Sequence, residues 1–527
     1  MSRPSLAASG RWGIASPHAM ASEAGADVLR DGGNAVDAAL AAAAALAVLL
    51  PNQCALGGDL IALVGLPDGS AQVLNGSGRA PEGVDVDGLR AAHERLPVDG
   101  ALSVTVPGVV DGWHELARRW GSRPVSGALL RAASLAGDGV AVSAGLARDL
   151  DREAERILAD PGLAELLAPS GTPLREGQLL RQPRLAGTLD AIASDGPDAF
   201  YSGAVAASLV STLRARGSAM SSDDFLAHGS SIEEPLAARF GDVEYLASGG
   251  NTQGGFFLAA LRAVERLDRR LDPLGPEAGL LYGILSALAT ARDQSLGDSA
   301  TAPALDMAGI EELATRALAG PAGESAAGRG PTPRGDTVAV VVADGSGQWV
   351  SLIQSVFHAF GSGLLDPATG VLLHNRGAAF DLAPGSAAEL GGGRRPPHSL
   401  MPVLVRDAGT GQLVGAHGTM GGRAQPQIHT HLALHLAMGR SAFEAVAAPR
   451  WLLGHMEVGA DESPVVNVEQ DVPEVARLSL GRTGVPELTL PARADDAGHA
   501  QVIRRGTQGL HVAADPRADS AALTDES

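Results

Sequence analysis

Two apolar runs that do not alternate constrain this chain most. Residues 337–343 read TVAVVVA, the turn Asp344-Gly-Ser-Gly347 follows, and Trp349 to Val356 forms a second run. A strand with one wet face alternates apolar and polar residues, whereas a strand covered on both faces does not. This hairpin therefore belongs to a sheet held between two other layers. Ahead of it lies Leu318 to Gly335 (LAGPAGESAAGRGPTPRG), a low-complexity stretch that predicts an exposed, flexible loop. A flexible loop thus ends abruptly at Thr337, the first residue of a rigid strand.

The rest of the chain reads around that hairpin. Asp37 to Leu50 is an Ala-rich buried helix stopped by Pro51, and Leu60 to Val64 and Ala71 to Leu74 are short strands. Val109–Trp120, Ala144–Leu158, Pro183–Ser194, Val205–Arg216 and Gly255–Leu271 show helical spacing. Val403–Arg406 and Leu413–Ala416 form another hairpin, and Gln427–Met438 a helix. A helix-rich half precedes a strand-rich half, with no internal repeat.

Composition removes several classes of chemistry. The chain has 527 residues, is 45% hydrophobic and only 3% aromatic, so its core is built from Ala, Leu and Val. It contains no lysine, which excludes Schiff-base catalysis and a Walker A loop. Its one cysteine, Cys54, excludes internal disulfides and reads as a small buried hydrophobe. A net charge of −20 repels phosphate backbones, and Arg394-Arg395 and Arg504-Arg505 are too short to form a basic patch, so no nucleic-acid partner is expected. The first twenty residues lack an apolar signal core, and the longest apolar run, Ala38–Leu50, falls short of the ~20 residues that cross a bilayer. A cytoplasmic protein without a membrane partner is the expectation. The histidines are scattered and read as surface or structural groups; His429 and His435 share a helix but not a metal-binding spacing. No metal and no cofactor are expected.

There is no G-x-S-x-G elbow, H-E-x-x-H or helix-opening G-x-G-x-x-G. Gly335-Asp336-Thr337 is the informative site. A threonine hydroxyl becomes a competent nucleophile when its residue is the first of a chain, because its own α-amine then serves as base. That requires cutting the bond after Asp336, and a loop ahead of a rigid strand lets the new ends part. From the segment alone, a strand-forming threonine in an ordinary hairpin is the favoured reading.

Ten segments in order decide between these readings. Among them are GGNAVDAALAAAAALAVLLPNQCALGGDL (32–60), NGSGRAPEG (75–83), VTVPGVVDGWHEL (104–116), GDTVAVVVADGSGQWVSLIQSVFHAFGSG (335–363), RRPPHSLMP (394–402), GTMGGRAQPQ (418–427) and ADPRADS (514–520). The chain resembles the gamma-glutamyltransferase family of N-terminal-nucleophile hydrolases, in its divergent acylase and amidohydrolase branch. The resemblance implies an α/β fold, the four-layer αββα sandwich. It implies self-cleavage between Asp336 and Thr337 into a large subunit, 1–336, and a small subunit, 337–527. The two interleave as one domain, a heterodimer of the protein's own fragments, and sequence leaves larger assemblies open. It also implies that Thr337 forms an acyl-enzyme, that Ser355 bonds the nucleophile, and that Gly421 and Gly422 supply oxyanion N–H groups. Glycine suits that role, since a bare backbone approaches an oxyanion closely. Asn375, His398 and Ser399 fall at substrate-lining positions.

The departures concern the acyl group. Where the family holds an α-carboxylate with arginine, this chain has Ser77, with Arg79 two residues on. The positions that grip an α-amine are Ala379, Arg376 and Phe357. Arg376 would repel an ammonium by roughly 1–4 kcal/mol. Arg79, Arg376 and His398 suit an anionic or carbonyl-rich acyl group instead. The resemblance thus leaves three activities: γ-glutamyl transfer or hydrolysis of a small-molecule amide, as in glutathione metabolism; an acylase or amidohydrolase of glutaryl- or oxo-acid-type amides lacking a free α-amine; or a non-catalytic binding homologue.

Overall fold

The hairpin Asp336–Ala343/Trp349–Phe357 lies at the centre of a seven-stranded antiparallel sheet. The computed structural model describes residues 5–267, 269–303, 305–319, 336–454 and 464–526. Along the chain, strands β1 (Ala7–Gly10) and β2 (Gly13–Ser16) precede helix α1 (Ala35–Leu49), strands β3 (Asp59–Gly65) and β4 (Ala71–Asn75) and helix α2 (Val109–Trp120). Short helices then lead to β5 (Ser231–Glu233), β6 (Leu236–Phe240), β7 (Val243–Ala247) and helix α3 (Gly254–Glu265). The hairpin strands are β8 and β9, followed by β10 (Val403–Asp407), β11 (Leu413–Met420) and helix α4 (Gln425–Ala437). The chain closes with β12 (His499–Gly506), β13 (Gly509–Ala514) and β14 (Ala521–Thr524).

One sheet has the order β14-β2-β8-β9-β3-β4-β5 and the other β1-β13-β12-β11-β10-β7-β6, all antiparallel. Strands from before and after residue 336 therefore mix in both sheets, while most of the helices precede that residue and most of the strands follow it, as expected.

The missing alternation in β8 now has its cause. Ala339, Val341 and Ala343 point into the layer between the sheets, with Ile61, Ile353, Leu404 and Ile503. Val338, Val340 and Val342 point outward into a cluster with α1. All fifteen residues of α1 are buried, and Asn34 starts the helix with a capping box to Asp37. Gln354, on the outer face of β9, donates to the Ala43 carbonyl at 2.8 Å and accepts from Trp113 Nε1 at 3.1 Å, tying α1 and α2 to the sheet. On the far side, Phe257 of α3 meets Tyr245 of β7 edge-on at 5.6 Å, and His429 of α4 stacks 6.2 Å from His417 of β11. Helix, sheet, sheet, helix is the αββα order expected.

Some boundaries differ. The helix expected at Ala144–Leu158 is two, Ala144–Arg152 and Ala154–Ala159, with Glu153 as the joint. The one expected to reach Leu271 stops at Glu265, where Arg262 and Arg266 turn to Glu311 of the helix Met307–Leu318. Leu318 closes that helix and is not loop; residues 320–335 of the expected flexible stretch lie outside the described residues. Among the described residues nine histidines are buried, which fits the structural rather than the surface alternative. His431 and His435 share an i, i+4 spacing that the sequence reading passed over; His431 packs edge-on against Trp451 at 4.6 Å. Among the described residues, no three His, Cys, Asp or Glu side chains form a metal cluster, and no helix is long and apolar enough to cross a membrane.

Candidate active site

Three neighbouring strands place Thr337, Ser355 and Asp59 in one row. Thr337 of β8 pairs with Ser355 of β9, which pairs with Asp59 of β3. All three share the parity of the inward residues Ala339, Ile353 and Ile61, so the row sits at one end of the layer between the sheets.

A bulge shapes the row. The register shifts between Asp336, paired with Phe357, and Thr337, paired with Ser355, leaving Val356 as the extra residue. Val356 loses its ladder partners but not its hydrogen bonds: its N–H donates to the Gln53 carbonyl at 3.0 Å and its carbonyl accepts from Asn375 N–H at 3.2 Å. Phe357 follows at φ 81°, a conformation rare for a bulky residue and typical of functional sites. The bulge leaves the Ser355 hydroxyl central. It donates to the Asp336 carbonyl at 2.8 Å, and accepts from Thr337 Oγ1 at 3.0 Å and from Phe357 N–H at 2.8 Å. Thr337 is 1% exposed. Gly58 permits this arrangement, since a Cβ there would stand 2.4 Å from the Ser355 carbonyl oxygen.

Gly421 and Gly422 follow the end of β11. Ser351 of β9 donates to the His417 carbonyl at 2.7 Å, and Gly418 lies against Ala339. This end of β11 thus packs on the inward face of β8, at Ala339 and Val341. Gly421 has φ 150° and Gly422 φ 51°, so this turn suits glycine. Gln253 holds it, donating to the Gly422 carbonyl at 2.9 Å and the Ser399 carbonyl at 2.7 Å.

Arg376 and Ser399 are brought together beside the row. The Arg376 guanidinium donates to Ser399 Oγ at 2.9 Å and stacks 3.6 Å from the centre of the Phe357 ring. It is 2% exposed, and among the described residues no carboxylate lies within ion-pair distance of it. Burial pulls its pKa down to about 9, against the attraction of Asp59. His398 and Asn375 are committed elsewhere. His398 Nε2 meets Asp59 at 3.1 Å, and burial, then the charge of Arg376, pull the ring down to about 4. Asn375 donates to the Val98 carbonyl at 3.0 Å and accepts from His358 N–H at 3.2 Å, which braces the loop beside the bulge. Arg79 lies apart: its side chain is 49% exposed and donates to the Gly393 carbonyl at 2.8 Å.

The Asp336 carboxyl points to a different wall. Burial, then Asp149 and Asp495, push it well above the usual carboxylate range. Asp149 is itself pushed up to about 6 by burial and by Asp495.

Asp59 and Gln253 were missed in the sequence. Asp59 had a signal, a carboxylate heading a strand otherwise fully apolar after two glycines. Gln253 had none. The positive φ of Phe357 also had none, because a bulge is set by pairing across strands.

The family model of gamma-glutamyltranspeptidase matches residues 21–524. The chain is 34% identical to the oxamate amidohydrolase proenzyme of Klebsiella pneumoniae, over 96% of this chain and 97% of that one. It is 32% identical to the glutathione hydrolase-like YwrD proenzyme of Bacillus subtilis, over 97% and 98%. Among solved structures, a cephalosporin acylase from Bacillus halodurans superposes with a TM-score of 0.88 at 29% identity, covering 100% of this chain and 98% of the other. A threonine at the start of a central strand, its hydroxyl bonded to a serine on the next strand, is thus embedded in a match that spans nearly the whole sequence. The chain belongs to the gamma-glutamyltranspeptidase family of amide-cleaving enzymes.

Proposed function

We propose that this protein cuts itself before Thr337 and then hydrolyses amides whose acyl group carries a carboxylate or a second carbonyl and no free α-amine. The observation that carries the substrate class is Arg376, a buried guanidinium beside Ser399 with no carboxylate partner among the described residues. Its stacking partner Phe357 is the register partner of Asp336, the residue before Thr337. A buried unpaired cation attracts an anion and repels an ammonium.

Self-cleavage follows from the hydrogen bonds. Ser355 polarises the Asp336 carbonyl while taking a hydrogen bond from Thr337. The Thr337 oxygen adds to the Asp336 carbonyl carbon, the C–N bond breaks, and the hydroxyl proton ends on the departing amine. Water hydrolyses the resulting ester, leaving the Asp336 carboxylate, the Thr337 hydroxyl and a free Thr337 amine. That amine then takes the hydroxyl proton when Thr337 attacks a substrate amide, and passes it to the leaving amine. Gly421 and Gly422 hold the family's oxyanion position and would supply its N–H groups, and water releases the acyl group. The two pieces, 1–336 and 337–527, remain one body.

A turnover panel tests the substrate class: glutaryl and oxalyl amides beside γ-glutamyl-p-nitroanilide and glutathione. The carboxylated acyl amides are expected to have the higher kcat/KM. Equal or better turnover of the γ-glutamyl compounds overturns the reading.

A further inference from the structure

Asp59 is a costly residue for its place. It heads β3, where Leu60 to Val64 are all fully buried apolar residues, and its own side chain is 1% exposed. A carboxylate withdrawn from water is destabilising unless several donors surround it. Strand packing alone would favour an apolar residue there.

Its polar neighbours come from three separate loops, and two of them hydrogen-bond it. Gly78 N–H donates to Oδ1 at 3.1 Å, from the loop that carries Arg79. His398 Nε2 meets Oδ2 at 3.1 Å, next to Ser399. His374 Nδ1 stands 3.4 Å from the same oxygen, two residues before Arg376. The two rings are set by their other contacts. Leu400 N–H donates to His398 Nδ1 at 3.3 Å, so the ring proton sits on Nε2 and points to Asp59. His374 Nε2 faces the Thr105 carbonyl at 2.9 Å, which holds the ring with its Nδ1 edge toward Asp59. Asp59 in turn shares the strand row of Ser355 and Thr337.

We propose that Asp59 is the positioning residue of the acyl pocket: one carboxylate that locks the loops bearing Arg376 and Ser399 to the strand row of the nucleophile. This rests on the carboxylated-acyl reading above. Asp59 touches no reacting atom. It acts by fixing where the guanidinium stands relative to Thr337, and so governs the capture of the acyl carboxylate more than the bond-breaking step.

The test compares Asp59→Asn, His398→Ala and His398→Gln with wild type, each purified and checked by intact mass for the split before Thr337. Glutaryl-p-nitroanilide is the substrate. All three variants are expected to self-cleave. Asp59→Asn and His398→Ala should raise KM about 10-fold or more with kcat within about 3-fold of wild type, since displaced binding groups lose capture first. His398→Gln keeps a donor near the place of Nε2 and should recover most of the KM. If Asp59→Asn does not fold, the two His398 variants decide alone. An unchanged KM in the folded variants, a fall in kcat with KM held, or a His398→Gln no better than His398→Ala overturns the proposal while the substrate reading stands. Wild type that ignores glutaryl and oxalyl amides overturns that reading, and this proposal with it.

Discussion

Ser355 Oγ lies 3.0 Å from Thr337 Oγ1, and the same atom donates to the Asp336 carbonyl at 2.8 Å. One hydroxyl thus contacts both the attacking oxygen and the bond it attacks. Removing either residue has consequences that differ in kind.

Thr337→Ala leaves no nucleophile, and its intact mass should be that of one uncut chain. Ser355→Ala keeps the nucleophile and loses the donor on the carbonyl. Its self-cleavage should slow by about 10²–10³, the usual loss for one donor to a developing oxyanion. A time course of intact mass reads both; a Ser355→Ala chain maturing at the wild-type rate would remove Ser355 from the mechanism.

Arg376→Met keeps the apolar stem over Phe357 and removes the charge. Losing a charge-assisted contact of about 1.5–3 kcal/mol should raise KM for a carboxylated acyl amide roughly 10- to 100-fold. Folding stability should hold or rise, because a buried cation without a carboxylate partner is replaced by a side chain of similar length. Steady-state kinetics and urea melts on the same preparation separate the two effects.

Gly58→Ala places a methyl 2.4 Å from the Ser355 carbonyl oxygen, a backbone atom that cannot step aside. The strand row must move or break. The expected loss is at least about 3 kcal/mol of stability, together with failed self-cleavage. A soluble, cleaving Gly58→Ala protein would contradict the close approach of β3 to β9.

Acid should unfold this protein early. Burial, then the charge of a nearby arginine, holds His358, His417 and His435 each down to about 3. Unfolded, a histidine titrates near 6.5. For groups depressed in the fold, the stabilisation is complete above the unfolded value and is lost as pH falls from about 6.5 toward 3. Three such groups give roughly 4 kcal/mol lost per pH unit below about 6. Asp149, raised to about 6, works the other way between about 6 and 3.8 and offsets about one of them. Urea midpoints at pH 7, 6 and 5 should fall progressively; a flat profile would mean these rings are solvated.

The covered hairpin was legible in the sequence because it depends on local pattern: an unalternating valine run bounded by turn residues fits a strand covered twice. The layer order and Thr337 as nucleophile came from the resemblance, since the segment alone also fits an ordinary hairpin threonine. The pocket was legible only in part. Arg376 comes together with Ser399, whereas of its expected pocket partners the His398 ring turns to Asp59 and the Arg79 guanidinium faces outward. Which way a side chain turns depends on partners far away in sequence, and Asp59 and His398 are 339 positions apart. The bulge at Val356 is equally non-local, since Gln53 and Asn375 hold it open.

Strands β8 and β9 are flanked by β2 on one side and β3 on the other, all in one hydrogen-bonded sheet. The proposed scission after Asp336, the first residue of β8, would create two polypeptides without creating two objects, because neither would have a complete sheet of its own. Maturation would then work as a ratchet. The precursor finds its native state as a single tethered chain; once nicked and denatured, the halves face a bimolecular search with no covalent memory of their pairing. Heat or denaturant should inactivate the nicked protein irreversibly where the uncut Thr337→Ala chain can renature. The knowledge of how to assemble resides in the newborn chain, and the finished catalyst retains only the result.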